Sequence, residues 1–364
     1  MEQSPIKKSS VTVADVARAA GVSKATAARV LGSYGTVSDA VRAKVSEAAA
    51  ALGYRPNELA RSMTTGRSGT IGVVVGDIEN PFFSSAVRGI ADVARLAGFT
   101  VILTNSGEDI AAEKAAIRTL LAKRVDGLIV SAASTSDFEH LLEIPDSGCP
   151  LVLLDRAISG IEVDTVTTDD RAAAEQATDI LIRKGHRTMA YITACDTPDH
   201  RLHTLNDLQT GSVRQRVEGF VAVCADAGIA APLEMVHLGA NGREKCAKIA
   251  LELLQSPQKP SAIIASDSLI ALEVFKAVQQ LGLSIPKDVS LIAFHDADWT
   301  AVTSPPITVI GQPVYLLGET VASLLIERIN GAELQARRIV LPTELIERKS
   351  VDAPIEVVSS RPAR

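Results

Sequence analysis

Residues 12–32 carry apolar side chains at the spacing of two short helices separated by a turn. Thr12 can cap the first helix and Ser23 the second, and Gly21 between them permits a tight turn. The apolar positions of the two helices are Val13, Val16, Ala17, Ala20, Ala27, Val30 and Leu31. The outward positions of the second helix are Lys24, Ala25, Thr26 and Arg29. This pattern predicts a helix-turn-helix, although an ordinary helical hairpin with solvated Lys24 and Arg29 would show it too.

A third helix and a linking segment follow in the same part of the chain. Residues 38–52 repeat the helical pattern behind Ser38, which can cap the helix. Residues 57–63, NELARSM, can form two turns capped by Asn57, which is too short to be stable in isolation. The domains that we assign are a head of residues 1–56, a hinge helix and linker of residues 57–69, a body of residues 70–350 and a tail of residues 351–364.

From residue 71 onward, short apolar runs rich in β-branched residues alternate with helical patterns. The runs predicted as strands are 71–76, 99–104, 126–131, 150–155, 188–193, 235–238, 261–266, 289–294 and 337–341. The helical patterns are 83–97, 109–123, 170–184, 213–227, 241–255, 267–281 and 313–330. The alternation restarts once, so it predicts an α/β body of two doubly wound parallel sheets. Ligands bind such sheets beyond the carboxyl ends of the strands, and a cleft between two lobes is the expected site.

Charge is distributed unevenly along the 364 residues. The net charge is −6, but residues 1–68 hold ten Lys or Arg against five Asp or Glu, a net of +5, and the remainder carries −11. A basic head on an acidic body is typical of a DNA-binding protein. No apolar run reaches the roughly 18 residues of a membrane span, and MEQSPIKKSS lacks the apolar core of a secretion signal. We therefore expect a cytoplasmic protein.

The sequence offers little for catalysis or for metal binding. The cysteines lie far apart in apolar segments, which favours buried reduced thiols: Cys149, Cys195, Cys224 and Cys246. No GxGxxG follows a strand, and no P-loop, GxSxG or zinc motif occurs, so we expect no cofactor, no metal and no enzyme. A solute-binding protein of a transport system is the other rival, and the basic head argues against it.

The order of the motifs resembles the lac repressor and purine repressor family of bacterial transcriptional regulators. The motifs run from about residue 12 to about residue 350 and are TVADVARAAGVSKATAARVL, GYRPNELARSM, IGVVVGDIENPFF, KRVDGLIV, RKGHRTMAYI, RVEGF, IPKDVSLIAF and PPITVIGQP. The resemblance implies a body like a periplasmic sugar-binding protein, a homodimer on palindromic operator DNA, and a small-molecule effector such as a sugar or nucleoside.

The resemblance also implies where the chain passes between the two lobes of the body. We expect crossovers near residues 155–166, near His295 and near Asn330. The lobes would then be an amino lobe of about residues 70–160 plus 297–328 and a carboxyl lobe of about residues 162–295 plus 330–350.

The family pattern implies a set of DNA-contacting residues in the head and hinge. They are Thr12, Ser23, Lys24, Ala25, Thr26, Arg29, Tyr34, Asn57, Leu59, Ala60, Arg61 and Met63. Arg29 has the bidentate fork that reads guanine in the major groove. Met63 stands where relatives usually carry a leucine that wedges between base pairs of the minor groove, and methionine is apolar and flexible enough to do so.

The same pattern implies a set of effector-binding residues in the cleft. They are Phe82, Phe83, Asn105, Asp155, Arg156, Ser212, Arg216, Asp267, His295 and Asp296. Two adjacent phenylalanines could instead fill an apolar corner between strand and helix. Asp169 and Asp170 precede a helix, and we expect one of them to be its N-cap.

Two alternatives remain open at the last of these positions. Relatives usually carry an aspartate directly after the aromatic residue of this strand, whereas here His295 stands there and Asp296 comes one residue later. Either residue can make the effector contact. Trp299, the only tryptophan, either forms a wall of the cleft or packs in the hinge. The effector could act as an inducer that releases DNA or as a corepressor that promotes binding.

Overall fold

The chain divides into two compact units, Met1–Gly69 and Thr70–Arg364. The structure, a computed structural model, describes residues 11–32, 35–54 and 66–355. The predicted contact residues Tyr34, Asn57, Leu59, Ala60, Arg61 and Met63 lie outside these ranges.

The head contains three short helices around a small core. The helices are α1 (Val13–Ala20), α2 (Lys24–Leu31) and α3 (Asp39–Ala51). Thr12 and Asp15 exchange hydrogen bonds as a capping box at the start of α1, and Gly21 ends it in the left-handed conformation with φ 65°. The buried core residues are Val16, Ala17, Ala27, Val30, Val45 and Ala49. The helix-turn-helix is confirmed, although Ser38 precedes α3 without a side-chain capping bond.

The first lobe of the body is built on a six-stranded sheet in the order β11-β5-β4-β3-β1-β2. Its strands are β1 (Thr70–Val75), β2 (Thr100–Asn105), β3 (Gly127–Val130), β4 (Leu151–Leu154), β5 (Asp164–Thr168) and β11 (Arg338–Leu341). All pairs in it are parallel. The helices of this lobe are α4 (Pro81–Leu96), α5 (Ile110–Ala122), α6 (Glu139–Asp146) and α12 (Val314–Ile329).

The second lobe repeats this arrangement with the order β12-β10-β9-β8-β6-β7. Its strands are β6 (Met189–Ile192), β7 (Val236–His237), β8 (Ala262–Ala265), β9 (Ser290–Phe294), β10 (Thr308–Gly311) and β12 (Glu344–Ile346). Its helices are α7 (Asp170–Arg183), α8 (Gly211–Asp226), α9 (Arg243–Gln255), α10 (Ser268–Gln280) and α11 (Asp298–Val302). Only β12 runs antiparallel to its neighbour, β10, so the prediction of two parallel sheets holds for every other pair of the described strands.

The predicted lobe boundaries were wrong, because β5, β10 and β12 were overlooked and because β11 belongs to the first lobe. β5 and β11 lie in the sheet of the first lobe and β10 and β12 in that of the second, so the chain changes lobe between β5 and α7, between β10 and α12, and between β11 and β12. The crossovers therefore lie about residues 168–170, 311–314 and 341–344 rather than near 155–166, His295 and Asn330. The sequence of β5, DTVTT, is too polar to stand out as a buried strand.

The cores of the lobes lie on both faces of each sheet. In the first lobe, α4 and α12 pack on one face through residues such as Ile90 and Leu317. In the second lobe, α7 and α8 pack on one face and α9 and α10 on the other. In the described ranges, no helix has both the length and the apolar character needed to cross a bilayer.

Candidate functional site

The second helix of the head exposes the residues that were predicted to contact DNA. Lys24, Ala25 and Arg29 are exposed on α2, while Ala27 and Val30 on its other face are buried in the head core. Thr26 is half-buried, and its backbone N–H donates to the Ser23 hydroxyl at 3.1 Å. The arrangement fits a helix that is held by its apolar face and presents a basic face to a groove.

A cavity of about 580 Å³ lies between the two lobes of the body. It is bounded by loops at the carboxyl ends of β1, β2 and β4 in the first lobe and of β6, β8 and β9 in the second. Of the residues predicted to bind an effector, those that line it are Phe82, Phe83, Asp155, Arg156, Ser212, Arg216, Asp267 and His295. The volume is in the range typical of small-molecule sites.

The two phenylalanines stand at the start of α4, facing the cavity. Asn80 caps the helix, with its Oδ1 accepting from the Phe82 N–H at 3.0 Å. This bond fixes the first turn of the helix, which carries both rings. The rings meet edge to face with centroids 5.3 Å apart, and Phe82 also meets the His295 ring of the other lobe at 6.3 Å. Both phenylalanines are buried in the lobe core, so they line the cavity and also fill the apolar corner.

Arg156 is fixed in the first lobe by a carboxylate that sequence reasoning missed. Its guanidinium donates to Glu108 Oε2 at 2.6 Å and Oε1 at 2.8 Å, and also to the Ala132 carbonyl at 2.9 Å. A Cβ at Gly76 would meet the Glu108 carboxylate, so a larger residue there would have to displace the partner of Arg156. The Arg156 Nε has no hydrogen-bond partner among the described residues.

Asp155, the neighbour of Arg156, is buried in the left-handed conformation with φ 68°. Its Oδ2 accepts from the Ser212 hydroxyl of the second lobe at 3.1 Å, while its Oδ1 is buried with no partner among the described residues. Burial raises the pKa of Asp155, and the opposing charges of Arg216 and Arg156 limit the rise. The carboxylate is therefore held in place with one oxygen left for a further donor.

Arg216 is a buried residue of α8 whose partners lie within the second lobe. Its Nε donates to Asp170 Oδ1 at 2.6 Å, one Nη donates to the Ser266 carbonyl at 2.8 Å, and the guanidinium lies 4.5 Å from the centroid of the Phe294 ring. Burial raises the pKa of Asp170 although Arg216 opposes it. Asp170 is thus an ion-pair partner and not a helix cap.

Asp267 and His295 complete the second-lobe side of the cavity. Asp267 caps α10, with its Oδ1 accepting from the N–H groups of Leu269 and Ile270, both at 2.8 Å. His295 follows β9 with φ 71°, and its buried Nδ1 has no partner in the described part of the chain. Burial lowers the pKa of His295, so the imidazole is neutral near pH 7.

Two residues predicted to bind the effector are not among those that line the cavity. Asn105 instead accepts from the Ile78 N–H at 2.9 Å and so shapes the loop that leads to α4. Asp296 points away and pairs with Arg348 at 2.8 Å. Of the two alternatives at this strand end, His295 is therefore the one that the structure places at the cavity.

Three smaller expectations are also decided by the structure. Trp299 packs on Phe275, with centroids 6.2 Å apart, and is not among the cavity-lining residues. Asp169 occupies the N-cap position of α7, but its carboxylate accepts from the Thr343 N–H instead of capping. All four cysteines are free thiols, and three of them are buried while Cys195 is half-buried. Cys195 and Cys246 are among the cavity-lining residues.

A group of hydrogen bonds joins the two lobes beside the cavity, and the sequence pattern did not predict it. The Gln209 carbonyl of the second lobe accepts from the N–H and the hydroxyl of Thr135 in the first lobe, at 2.8 and 2.9 Å. Arg214 donates to the same hydroxyl at 3.0 Å, and Ser136 contacts the Gln209 side chain. Neither segment carries a recognisable motif, so only the fold brings them together.

Comparison with known proteins identifies the family. Residues 12–57 match the bacterial regulatory proteins of the lacI family, and residues 68–349 match the periplasmic binding proteins and sugar binding domain of LacI family. The chain belongs to the LacI family. This LacI-family protein is therefore a ligand-responsive, DNA-binding transcriptional regulator and not an enzyme.

Similar LacI-family proteins cover almost the whole chain. The transcriptional regulator RegA of Clostridium saccharobutylicum is 33% identical over 339 residues, 93% of this chain and 98% of that protein. The ribose operon repressor of Escherichia coli is 32% identical, covering 93% and 99%. A structure of the lac repressor dimer bound to operator and the anti-inducer ONPF is 26% identical, has a TM-score of 0.79, and covers 94% of this chain and 100% of that one.

Proposed function

We propose that this LacI-family regulator is a cytoplasmic, homodimeric repressor of genes for carbohydrate or nucleoside uptake or catabolism. A small-molecule effector enters the cavity between the lobes and releases the protein from a palindromic operator. The proposal is supported by a basic helix-turn-helix and a two-lobed cavity in the same chain, and by relatives such as the ribose operon repressor.

The DNA-contacting surface in this proposal is the exposed face of α2. Lys24 and Ala25 at its start reach base edges, and Arg29 reads a guanine through its two parallel N–H donors. The hinge residues Leu59 and Met63 enter the minor groove. The net charge of +5 on residues 1–68 supplies the attraction to phosphates.

The observation that carries the effector half of the proposal is a set of buried polar atoms that face the cavity without partners. Asp155 Oδ1, Arg156 Nε and His295 Nδ1 have none among the described residues. Buried polar groups are normally hydrogen-bonded, and leaving one unpaired costs about 1–3 kcal/mol. A polyol with donors and acceptors would satisfy these atoms while its apolar face stacks on Phe82.

Effector binding acts on DNA affinity through the lobes. Because both lobes contribute to the cavity, a ligand that touches Asp155 and His295 together favours the closed arrangement by its differential affinity. In a regulator of the purine repressor type, the same motion would promote operator binding instead. PurR of Aliivibrio salmonicida is 28% identical over 93% of this chain.

The test measures operator affinity with and without effectors. An operator is selected from a random palindrome library with the full-length protein, and fluorescence anisotropy is recorded with a panel of sugars and nucleosides. Asp155→Asn keeps an acceptor for Ser212 and tolerates the left-handed backbone, but it removes the carboxylate charge. We expect this variant to need about tenfold more effector, with effector-free operator binding near wild type.

The matched control is Asp109→Asn, because Asp109 caps α5 and is not among the cavity-lining residues. It should respond at the wild-type concentration. An Asp155→Asn protein that also responds at that concentration would remove Asp155 from the site. A wild-type protein that binds DNA and responds to no compound of the panel would contradict the effector half of the proposal.

A further inference from the structure

The hydrogen bonds between the lobes form an interlobe contact that joins Thr135 and Ser136 of the first lobe to Gln209, Gly211 and Arg214 of the second. The Gln209 carbonyl accepts from both the N–H and the hydroxyl of Thr135, at 2.8 and 2.9 Å. The same hydroxyl accepts from Arg214 at 3.0 Å, and Ser136 donates to the Gln209 side chain. Of these five described residues, only Gln209 is among those that line the cavity. The contact is therefore made by the protein's own atoms, whatever the cavity holds.

A glycine lets the two lobes approach each other at this contact. Gly211 is the first residue of α8, and a Cβ built on it would lie 3.2 Å from the Ala157 carbonyl oxygen and 3.3 Å from Thr135 Cγ2, both in the first lobe. Gly211 does not have the positive φ that favours glycine, and glycine is unfavourable inside a helix. The missing side chain therefore serves the approach of the lobes and not the local backbone.

The first-lobe half of the contact is held in place by a buried carboxylate. The Glu113 side chain on α5 is fully buried, and its Oε2 accepts from the Ala133 N–H at 2.7 Å. Its Oε1 accepts from Nε2 of His140 on α6 at 2.8 Å. Ala133 lies two residues before Thr135, so these bonds tie the loop that makes the interlobe contact to both helices.

The bonds between the lobes are weaker than those that hold the loop. Gln209 is exposed and Thr135 is half-buried, so water can replace each interlobe bond when the lobes separate. A hydrogen bond that exchanges with water in this way gives only a modest net stabilisation. The Glu113 carboxylate lies in the interior, where losing its donors is costly. The loop is thus fixed to the first lobe and bonded reversibly to the second.

We propose that this interlobe contact favours the closed arrangement of the body without an effector, and that Glu113 is the residue that positions it. The consequence for DNA rests on the proposed function. Because closure releases the operator there, the contact sets the operator affinity of the effector-free protein. Glu113 acts only through the loop, since it is not among the cavity-lining residues.

Hydrogen–deuterium exchange of the full-length protein, with no ligand added, tests the contact directly. The Thr135 N–H donates to the Gln209 carbonyl, so its exchange rate follows opening of the contact. Mass spectrometry with fragmentation isolates this amide. Gly211→Val places a branched side chain against the first lobe and should speed its exchange about tenfold, and Thr135→Val, which loses the hydroxyl, about fivefold.

The matched control is Thr119→Val, because the Thr119 hydroxyl donates to the Ala115 carbonyl within α5. It should leave the exchange rate of the Thr135 amide within about twofold of wild type. A Thr135 amide that is unprotected in wild type, or that exchanges at the wild-type rate in both Gly211→Val and Thr135→Val, overturns the contact.

Variants of Glu113 test its positioning role. Glu113→Leu removes the acceptor of the Ala133 N–H and should speed exchange of the Thr135 amide about tenfold, whereas Glu113→Gln keeps an acceptor and should stay within about threefold of wild type. His140→Phe breaks only the bond to Oε1 and should speed the same amide about threefold, which keeps the role testable if Glu113→Leu does not fold. The amide of Leu128 in β3 reports the stability of the lobe and should not change. Thr135 exchange that is unchanged, or that rises only together with that of Leu128, overturns the role of Glu113.

The operator affinity of the same proteins separates this inference from the proposed function. Without effector, Gly211→Val and Thr135→Val should bind the selected operator about two- to fivefold more tightly than wild type in fluorescence anisotropy, because the closed arrangement is the one that releases DNA. Faster exchange with weaker operator binding would uphold the contact and overturn release by closure. Faster exchange with an unchanged operator affinity would uphold the contact and contradict the proposed coupling of closure to DNA.

Discussion

Replacing Arg216 by alanine is expected to destabilise the body, because this arginine is held by buried partners within the protein. The guanidinium donates to Asp170 at 2.6 Å and to the Ser266 carbonyl at 2.8 Å, and it stacks on Phe294. Asp170 is buried at the start of α7, where water cannot replace the lost partner. The variant therefore leaves an uncompensated carboxylate in the interior.

The size of the effect follows from this geometry. Removing one partner of a buried ion pair typically destabilises by about 3–5 kcal/mol. For a domain of this size each kcal/mol lowers the melting temperature by roughly 2–4 °C, so Arg216→Ala should melt about 10 °C below wild type. The double variant Arg216→Ala/Asp170→Asn removes the Asp170 charge as well as its partner, and it should recover about half of the lost melting temperature.

The pH dependence gives an independent check. Burial raises the pKa of Asp170 to about 7, and the loss of Arg216 raises it further. A carboxyl whose folded pKa lies above its unfolded value of about 3.9 binds protons more readily when folded, so its contribution to stability falls as the pH rises between these values. The decrease in melting temperature caused by Arg216→Ala should therefore be smaller at pH 5 than at pH 8.

Differential scanning fluorimetry of the three proteins at both pH values measures these effects. A single variant as stable as wild type, or a double variant less stable than the single one, would refute the assignment of Arg216 and Asp170 as a mutually dependent buried pair. The double variant is also the appropriate protein for effector titrations, because its loss of response would not simply report unfolding.

Two further predictions concern the head and the cleft. Arg29→Ala should weaken operator binding by about 1–3 kcal/mol per half-site and relax the preference at one base pair. Anisotropy on operators with single substitutions measures both effects, and an unchanged affinity would mean that α2 is not the helix that reads the bases. His295→Asp restores the residue usual in the family, and the fold should be kept because aspartate also tolerates the left-handed backbone. The variant should change which compounds shift operator affinity and leave effector-free DNA binding unchanged. An unchanged ranking of compounds would exclude His295 from contact with the effector.

The elements of the body could be predicted where hydrophobic pattern alone decides them. Apolar runs such as 71–76 and 261–266 became β1 and β8 to within a residue, because a parallel strand buried on both faces must be apolar throughout. The ends of three helices could also be predicted locally, from Gly98, Gly185 and Gly228. Each of these glycines comes just after a helix and adopts positive φ.

The crossovers and the partners of the cavity arginines could not be predicted in this way. β5 is a polar strand that is recognised only by its pairing with β4 and β11, and its partners in β11 lie 173 positions further along the chain. Glu108 and Asp170 meet their arginines only after folding, over separations of 48 and 46 residues. A sequence shows that such charges exist, but not which of them neutralise each other.

The repeated topology explains why the cavity lies where it does. β4 and β9 hold the same place in the two sheets, and each is followed by a residue other than glycine with φ near 70°, Asp155 at 68° and His295 at 71°. The N–H of each donates to the next strand, Asp155 to Val166 at 2.8 Å and His295 to Ile310 at 2.9 Å. The left-handed conformation is strained for such residues and persists where the surroundings impose it, commonly at functional sites. Each lobe thus places one polar side chain at the cleft, from the same strand end. The affinity of a ligand that contacts both side chains therefore depends on the distance between the lobes.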